Sequence, residues 1–182
     1  MNWRNTSDRY STLSRALHWL VVLLFVTAYA TVELHEVFDR GSAPRRLMMA
    51  SHFMAGLSVL LLVWLRLAAR LLGQTPQISP APPKWQTGLA HAAHAALYLL
   101  MISLPLLGWL MRNAGDSTVT YFGLTLPALI GPNEALHERL KELHGLLANL
   151  GYLLIGGHAA AALFHHYMQK DNTLRLMLPA HG

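Results

Sequence analysis

Four apolar runs dominate the sequence: Ala16 to Val32, Leu47 to Leu65, Leu89 to Met111 and Leu146 to Phe164. Each is about 17 to 23 residues long, the length of helix that crosses ~30 Å of hydrocarbon. An amphipathic helix on a soluble core shows polar residues along its outer face, and these runs show almost none. The chain is therefore expected to be all-α, a transmembrane four-helix bundle with spans at about 16–32, 47–65, 89–111 and 146–164, folded as a single domain over residues 1–182. Composition agrees, because only 13% of residues are charged, about half the share usual in a soluble domain. The connections are polar, and "GQTPQISPAPPKWQT" carries prolines that stop a helix. The third connection is the longest, and its second half reads as an amphipathic lead-in to the fourth span.

The net charge of +5 admits nucleic acid or a membrane surface as partner, but topology explains it better. With the N-terminus inside, the inner basic residues are Arg4, Arg9, Arg15, Arg66, Arg70, Lys84, Lys170 and Arg175. The outer ones are Arg40, Arg45, Arg46, Arg112, Arg139 and Lys141. That excess places both termini in the cytoplasm, with membrane lipid as the surrounding partner and no nucleic acid. Arg9 and Arg15, an apolar run and "AYA" at Ala28 to Ala30 resemble a secretory signal. The run is long for one and contains His18 and Trp19, so the mature chain is expected to begin at or near Met1.

The chain has no cysteine, which removes thiolate metal sites, cysteine-held iron–sulfur clusters and covalently attached haem. It has eleven histidines instead. A lone histidine in an apolar helix is usually a hydrogen-bonded core residue, yet ionisable groups inside a membrane are functional candidates. His144 and His158 bracket the fourth span; fourteen residues put them roughly 21 Å apart along the axis and within about 40° of one face. Gly151 lies midway on that face, and His165 continues it. By depth, His18 matches His158 near the inner edge, and His52 matches His144 near the outer edge. Two facing imidazoles can serve as the axial ligands of a haem iron, and two such pairs would stack two haems across the membrane. Gly56, Gly145, Gly151, Gly156 and Gly157 would leave room for a wide macrocycle.

Arg66, fourteen residues after His52, is a candidate for the propionates of the inner haem, or simply a snorkelling arginine at the inner edge. His91 and His94 rival His18 as partners of His158, and with His165 and His166 they form a candidate quinone or proton site. His35, His137 and His181 fall in loops or tails.

The combination "LHWL", "SHFMAG", "GLAHAAHAALYLL…LPLLGW", "FGLTLP" and "HGLLANLGYLLIGGHAAAALFHHYMQKDNTL" resembles the bacterial cytochrome b561 family over nearly the whole chain, and within it the superoxide oxidase type. The resemblance implies an inner-membrane protein with two non-covalent haem b groups held by His18, His52, His144 and His158. It implies an oxidoreductase that passes electrons from superoxide on the periplasmic side, through the outer and then the inner haem, to ubiquinone. Superoxide is a small anion that a cationic mouth would steer; Arg45, Arg46, Arg112, Arg139 and Lys141 are the candidates. No protein partner is required, but a haem relay subunit serving a partner dehydrogenase or hydrogenase is a competing reading. A haem-free transporter or metal-binding protein is a further one.

Overall fold

A computed structural model of the chain describes residues 4–178; His181 lies outside them. Four long helices carry the fold: α1 (Thr12–Leu34), α2 (Ala43–Leu71), α3 (Lys84–Ala114) and α4 (Glu134–Phe164). Each is long and apolar enough to cross a membrane, so the all-α transmembrane class holds. Every helix extends beyond the apolar run that announced it, and polar caps set the starts of α1, α2 and α4. The buried Ser11 accepts from the Ser14 N–H at 3.0 Å ahead of α1. Ser42 accepts from the Arg45 N–H ahead of α2. Asn133 accepts from the Leu136 N–H at 2.9 Å ahead of α4, whose first turn carries Glu134 against the helix dipole. The amphipathic lead-in is thus the first turns of α4 itself.

The helices pack as two compact units. The first holds Met1–Leu20, Leu62–Leu99 and Gly151–Gly182; the second holds Val21–Leu61 and Leu100–Leu150. Each helix contributes a segment to both. In the first unit Leu17 and Val63 are buried, and the N-terminal segment is tied down by Asn5. That side chain, only 7% exposed, accepts from the Ser11 N–H at 2.8 Å and the Ser14 hydroxyl at 2.8 Å, and donates to the Ala69 carbonyl at 3.3 Å. Gly73 admits this docking, since a Cβ there would meet the Asn5 Cβ at 2.9 Å. At the other terminus Trp19 and Arg15 donate to the carbonyls of Met177 and Leu178.

The core of the second unit is Val21, Ala55, Leu57, Val59, Leu100, Met101 and Leu104. A short antiparallel hairpin, β1 (Val119–Tyr121) and β2 (Leu124–Leu126), joins it. Its two-residue turn places Phe122 at φ 46° and Gly123 at φ 83°, the pairing of left-handed residues that suits the twist of a tight hairpin. The Tyr121 hydroxyl reaches Ser58 on α2 at 3.0 Å. Around both units the exterior is apolar: Leu23, Leu61, Leu99 and Leu153 are all exposed, which water penalises and lipid does not.

Replacing Asn5 by Ala strands the buried Ser11 N–H and removes the tie to α2. The expected cost is about 1–3 kcal/mol, read as a lower thermal unfolding midpoint of the detergent-solubilised protein. An unchanged midpoint would show that the N-terminal segment is not held by this network.

Candidate functional site

The histidines on the inward faces of the helices meet in two clusters, one in each unit. In the second unit, His52 of α2 faces His144 of α4 with ring centres 6.2 Å apart and planes inclined by 71°. The Nδ1 of His52 donates to the Ala28 carbonyl of α1 at 2.9 Å, a bond that orients the ring and leaves Nε2 as its free lone pair. On α3, Gly108 lies beside His144: an added Cβ would stand in ordinary contact, 3.5 Å from its Cε1. Tyr29 of α1 donates to the Ala148 carbonyl of α4 at 2.9 Å, so all four helices meet around this pair.

In the first unit, His18 of α1 faces His158 of α4 at 6.3 Å with an interplanar angle of 67°. His94 of α3 lies closer to His158, at 5.5 Å, and its Nδ1 is buried and unpartnered. Arg66 of α2 reaches the Nδ1 of His18 at 3.1 Å. A guanidinium only donates, so Nδ1 accepts here, and the neutral ring carries its proton on Nε2. His91 is exposed. Gly151 is buried on α4. An added Cβ at Gly56, Gly145, Gly156 or Gly157 would meet no atom within 4 Å.

These dimensions suit a haem. With metal–nitrogen bonds of about 2 Å and ring centres about 1.1 Å behind the nitrogen, an iron between two imidazoles would separate their centres by about 6.2 Å. The His52–His144 and His18–His158 spacings match; the His94–His158 spacing falls short. Among the described residues, no group of three or more His, Asp or Glu side chains is arranged to hold a metal ion directly.

The five candidate steering cations, Arg45, Arg46, Arg112, Arg139 and Lys141, belong to the unit that holds His52 and His144. Most are engaged. Arg45 donates to the carbonyls of His35 and Phe38 at 3.2 and 3.0 Å, and Arg46 to that of Gly41. Arg112 donates to the Thr118 carbonyl at 3.2 Å and sits 5.0 Å over the Phe53 ring. Lys141 pairs with Glu138 at 3.1 Å. Arg139 is exposed and, among the described residues, has no such partner. His165 and His166 belong to the other unit, with His18, His91, His94 and His158. The Nδ1 of His166 is buried and unpartnered.

One side chain escaped the sequence reading. After α4 the chain makes a π-helical turn, His165–Gln169, and returns so that Asp171 meets His165, Oδ2 to Nδ1 at 2.5 Å. Its other oxygen accepts from the Thr173 N–H at 2.8 Å. Burial alone would raise the Asp171 carboxyl above the ordinary range, but the hydrogen bonds from His165 and Thr173 outweigh it and hold the group below that range.

Facing histidine pairs inside apolar spanning helices define a class, the membrane cytochromes that hold haem between helices. The family comparison agrees: the model for prokaryotic cytochrome b561 matches residues 9–180. Cytochrome b561 homolog 1 of Escherichia coli K12 is 38% identical over 94% of this chain and 98% of its own length. Probable superoxide oxidase CybB of Yersinia pestis is 42% identical over 94% of this chain and 96% of its own. Cytochrome b561 homolog 2 of Escherichia coli K12 is 30% identical over 98% and 95%. The chain belongs to the prokaryotic cytochrome b561 family, and so is a multi-pass inner-membrane electron-transfer protein with b-type haem.

The depressed Asp171 carboxyl makes an acid-stability prediction. A group whose folded value lies below its unfolded one contributes stability above the unfolded value and loses it as pH falls through the folded one. Thermal midpoints should therefore decline on acidification below the ordinary carboxylate range near pH 4. Asp171→Asn should be less stable at neutral pH and show a shallower acid limb. Parallel curves for the two proteins would contradict the assignment.

Proposed function

We propose that this protein is a superoxide:ubiquinone oxidoreductase that binds two haem b groups, one between His52 and His144 and one between His18 and His158. The observation that carries the reading is the pair of imidazole pairs at iron-bridging distance, both built on α4. Similarity to the relative named a probable superoxide oxidase supports the choice of donor. When bound, the haems supply one-electron redox couples.

The residues do the rest. The Ala28 carbonyl keeps the proton of His52 on Nδ1, so Nε2 is available to a metal. His18 offers Nε2 only once Arg66 gives up its Nδ1. A propionate carboxylate is a partner strong enough to draw the guanidinium away, which supports Arg66 as the inner propionate residue. His94, beside His158 but too close for a bridging iron, is left for proton or quinone contacts along with His91, His165 and His166.

The cations Arg45, Arg46, Arg112, Arg139 and Lys141 steer superoxide toward the His52–His144 end, which faces the periplasm when both termini are cytoplasmic. Arg139 is the most available of them. Two superoxide ions each lose one electron and leave as O₂; ubiquinone takes both electrons and two protons and becomes ubiquinol. The lipid-exposed exterior lets the quinone arrive from the bilayer, and no partner protein is needed.

A superoxide source should reduce the purified cytochrome rapidly, and added ubiquinone should reoxidise it with net O₂ release. Arg139→Gln should slow superoxide-driven reduction about two- to fivefold at low ionic strength while keeping the haem content. The difference should vanish as salt shortens the field to a few ångströms. If superoxide reacts no faster than it dismutates alone, while a copurifying dehydrogenase reduces the haem promptly, the relay-subunit reading holds instead.

A further inference from the structure

The turn after α4 contains a built acid–base pair. His165 and Asp171 are clasped twice: the ring Nδ1 meets the carboxylate at 2.5 Å, and the Asp171 N–H donates back to the His165 carbonyl at 3.2 Å. Asp171 is 4% exposed, whereas the His165 side chain keeps 19% of its surface open. A carboxylate that accepts Nδ1–H selects the tautomer with its lone pair on Nε2 and holds the ring in one orientation. A wide π-turn of this kind recurs at functional sites. His165 also follows His158 by seven residues, which sets it about 10 Å further along α4, within about 20° of the same face.

Among the described residues Asp171 is the only ionic partner of His165. The Phe164 ring packs against it edge-on at 6.2 Å and adds no charge. His166, Tyr167 and Lys170 are the other titratable groups of the turn, and Arg175 is the exposed cation of the segment that follows.

We propose that His165 and Asp171 form a proton-delivery dyad for quinone reduction. This rests on the quinone-reducing reading above. The Nε2–H bond of the imidazolium breaks and a quinone O–H bond forms. The electron pair on that oxygen derives from the two electrons released by superoxide, and Nε2 is reprotonated by water at the cytoplasmic edge. Asp171 is the positioning residue: it fixes the ring and stabilises its charged form.

The test follows reoxidation of the pre-reduced cytochrome by a short-chain ubiquinone in stopped flow between pH 5.5 and 8.5. Asp171→Asn keeps an acceptor for Nδ1–H but removes the negative charge that faces the imidazolium. Reoxidation should slow about tenfold at pH 8 and come within about twofold of the native rate at pH 5.5. Asp171→Glu should recover most of the loss. His165→Gln, which can still donate to Asp171 and so preserves the turn, should be slow at every pH and be accelerated by added imidazole. All three should retain their haem and visible spectrum. Native rates and a native pH profile in both Asp171→Asn and His165→Gln would overturn the dyad while leaving quinone reduction standing. Failure of ubiquinone to reoxidise the native protein would overturn the quinone reading, and the dyad with it.

Discussion

An imidazole inside an apolar helix must find partners for both of its nitrogens, because the surrounding hydrocarbon offers none. That requirement organises this molecule. His52 satisfies one nitrogen through the Ala28 carbonyl, and His18 through Arg66. In each case the ring then stands across from a histidine of α4 at a spacing of just over 6 Å. The other three helices are arranged around α4 accordingly: α1 and α2 supply the facing imidazoles, and α3 packs Gly108 beside His144. Haem b is the partner that would complete four such nitrogens at once.

The two units differ in chemistry as their proposed tasks require. One carries the cations Arg45, Arg46, Arg112, Arg139 and Lys141, suited to attracting a small anion. The other carries His91, His94, His165 and His166 and the carboxylate of Asp171, suited to holding and moving protons. Oxidising superoxide needs no proton, and reducing a quinone needs two. The apolar exterior faces the lipid. The specificity of the protein therefore resides in a small number of polar residues at helix ends and inward faces.

Much of this was legible in the sequence because helical periodicity is rigid. The fourteen-residue spacing of His144 and His158 and the depths of His18 and His52 follow from a 1.5 Å rise and a 100° turn, and the structure brings those four together in pairs. Helix ends were less legible, since Ser11, Ser42 and Asn133 act as caps outside the apolar runs that marked the spans. The hairpin lies inside the long third connection, where "VTYFGLTL" carries alternating strand residues around a Phe-Gly turn. Asp171 gave no signal: nothing in a six-residue separation announces that a π-turn will fold the carboxylate back onto His165.

The central claim is that each α4 histidine shares an iron with a histidine of another helix. Low-temperature electron paramagnetic resonance of the oxidised protein, quantified against protein concentration, tests it most directly. The account predicts two low-spin ferric species per chain with the signatures of bis-imidazole ligation, one lost in His52→Ala and the other in His18→Ala. A single species per chain, a high-spin signal in the native protein, or loss of the same species in both variants would contradict it.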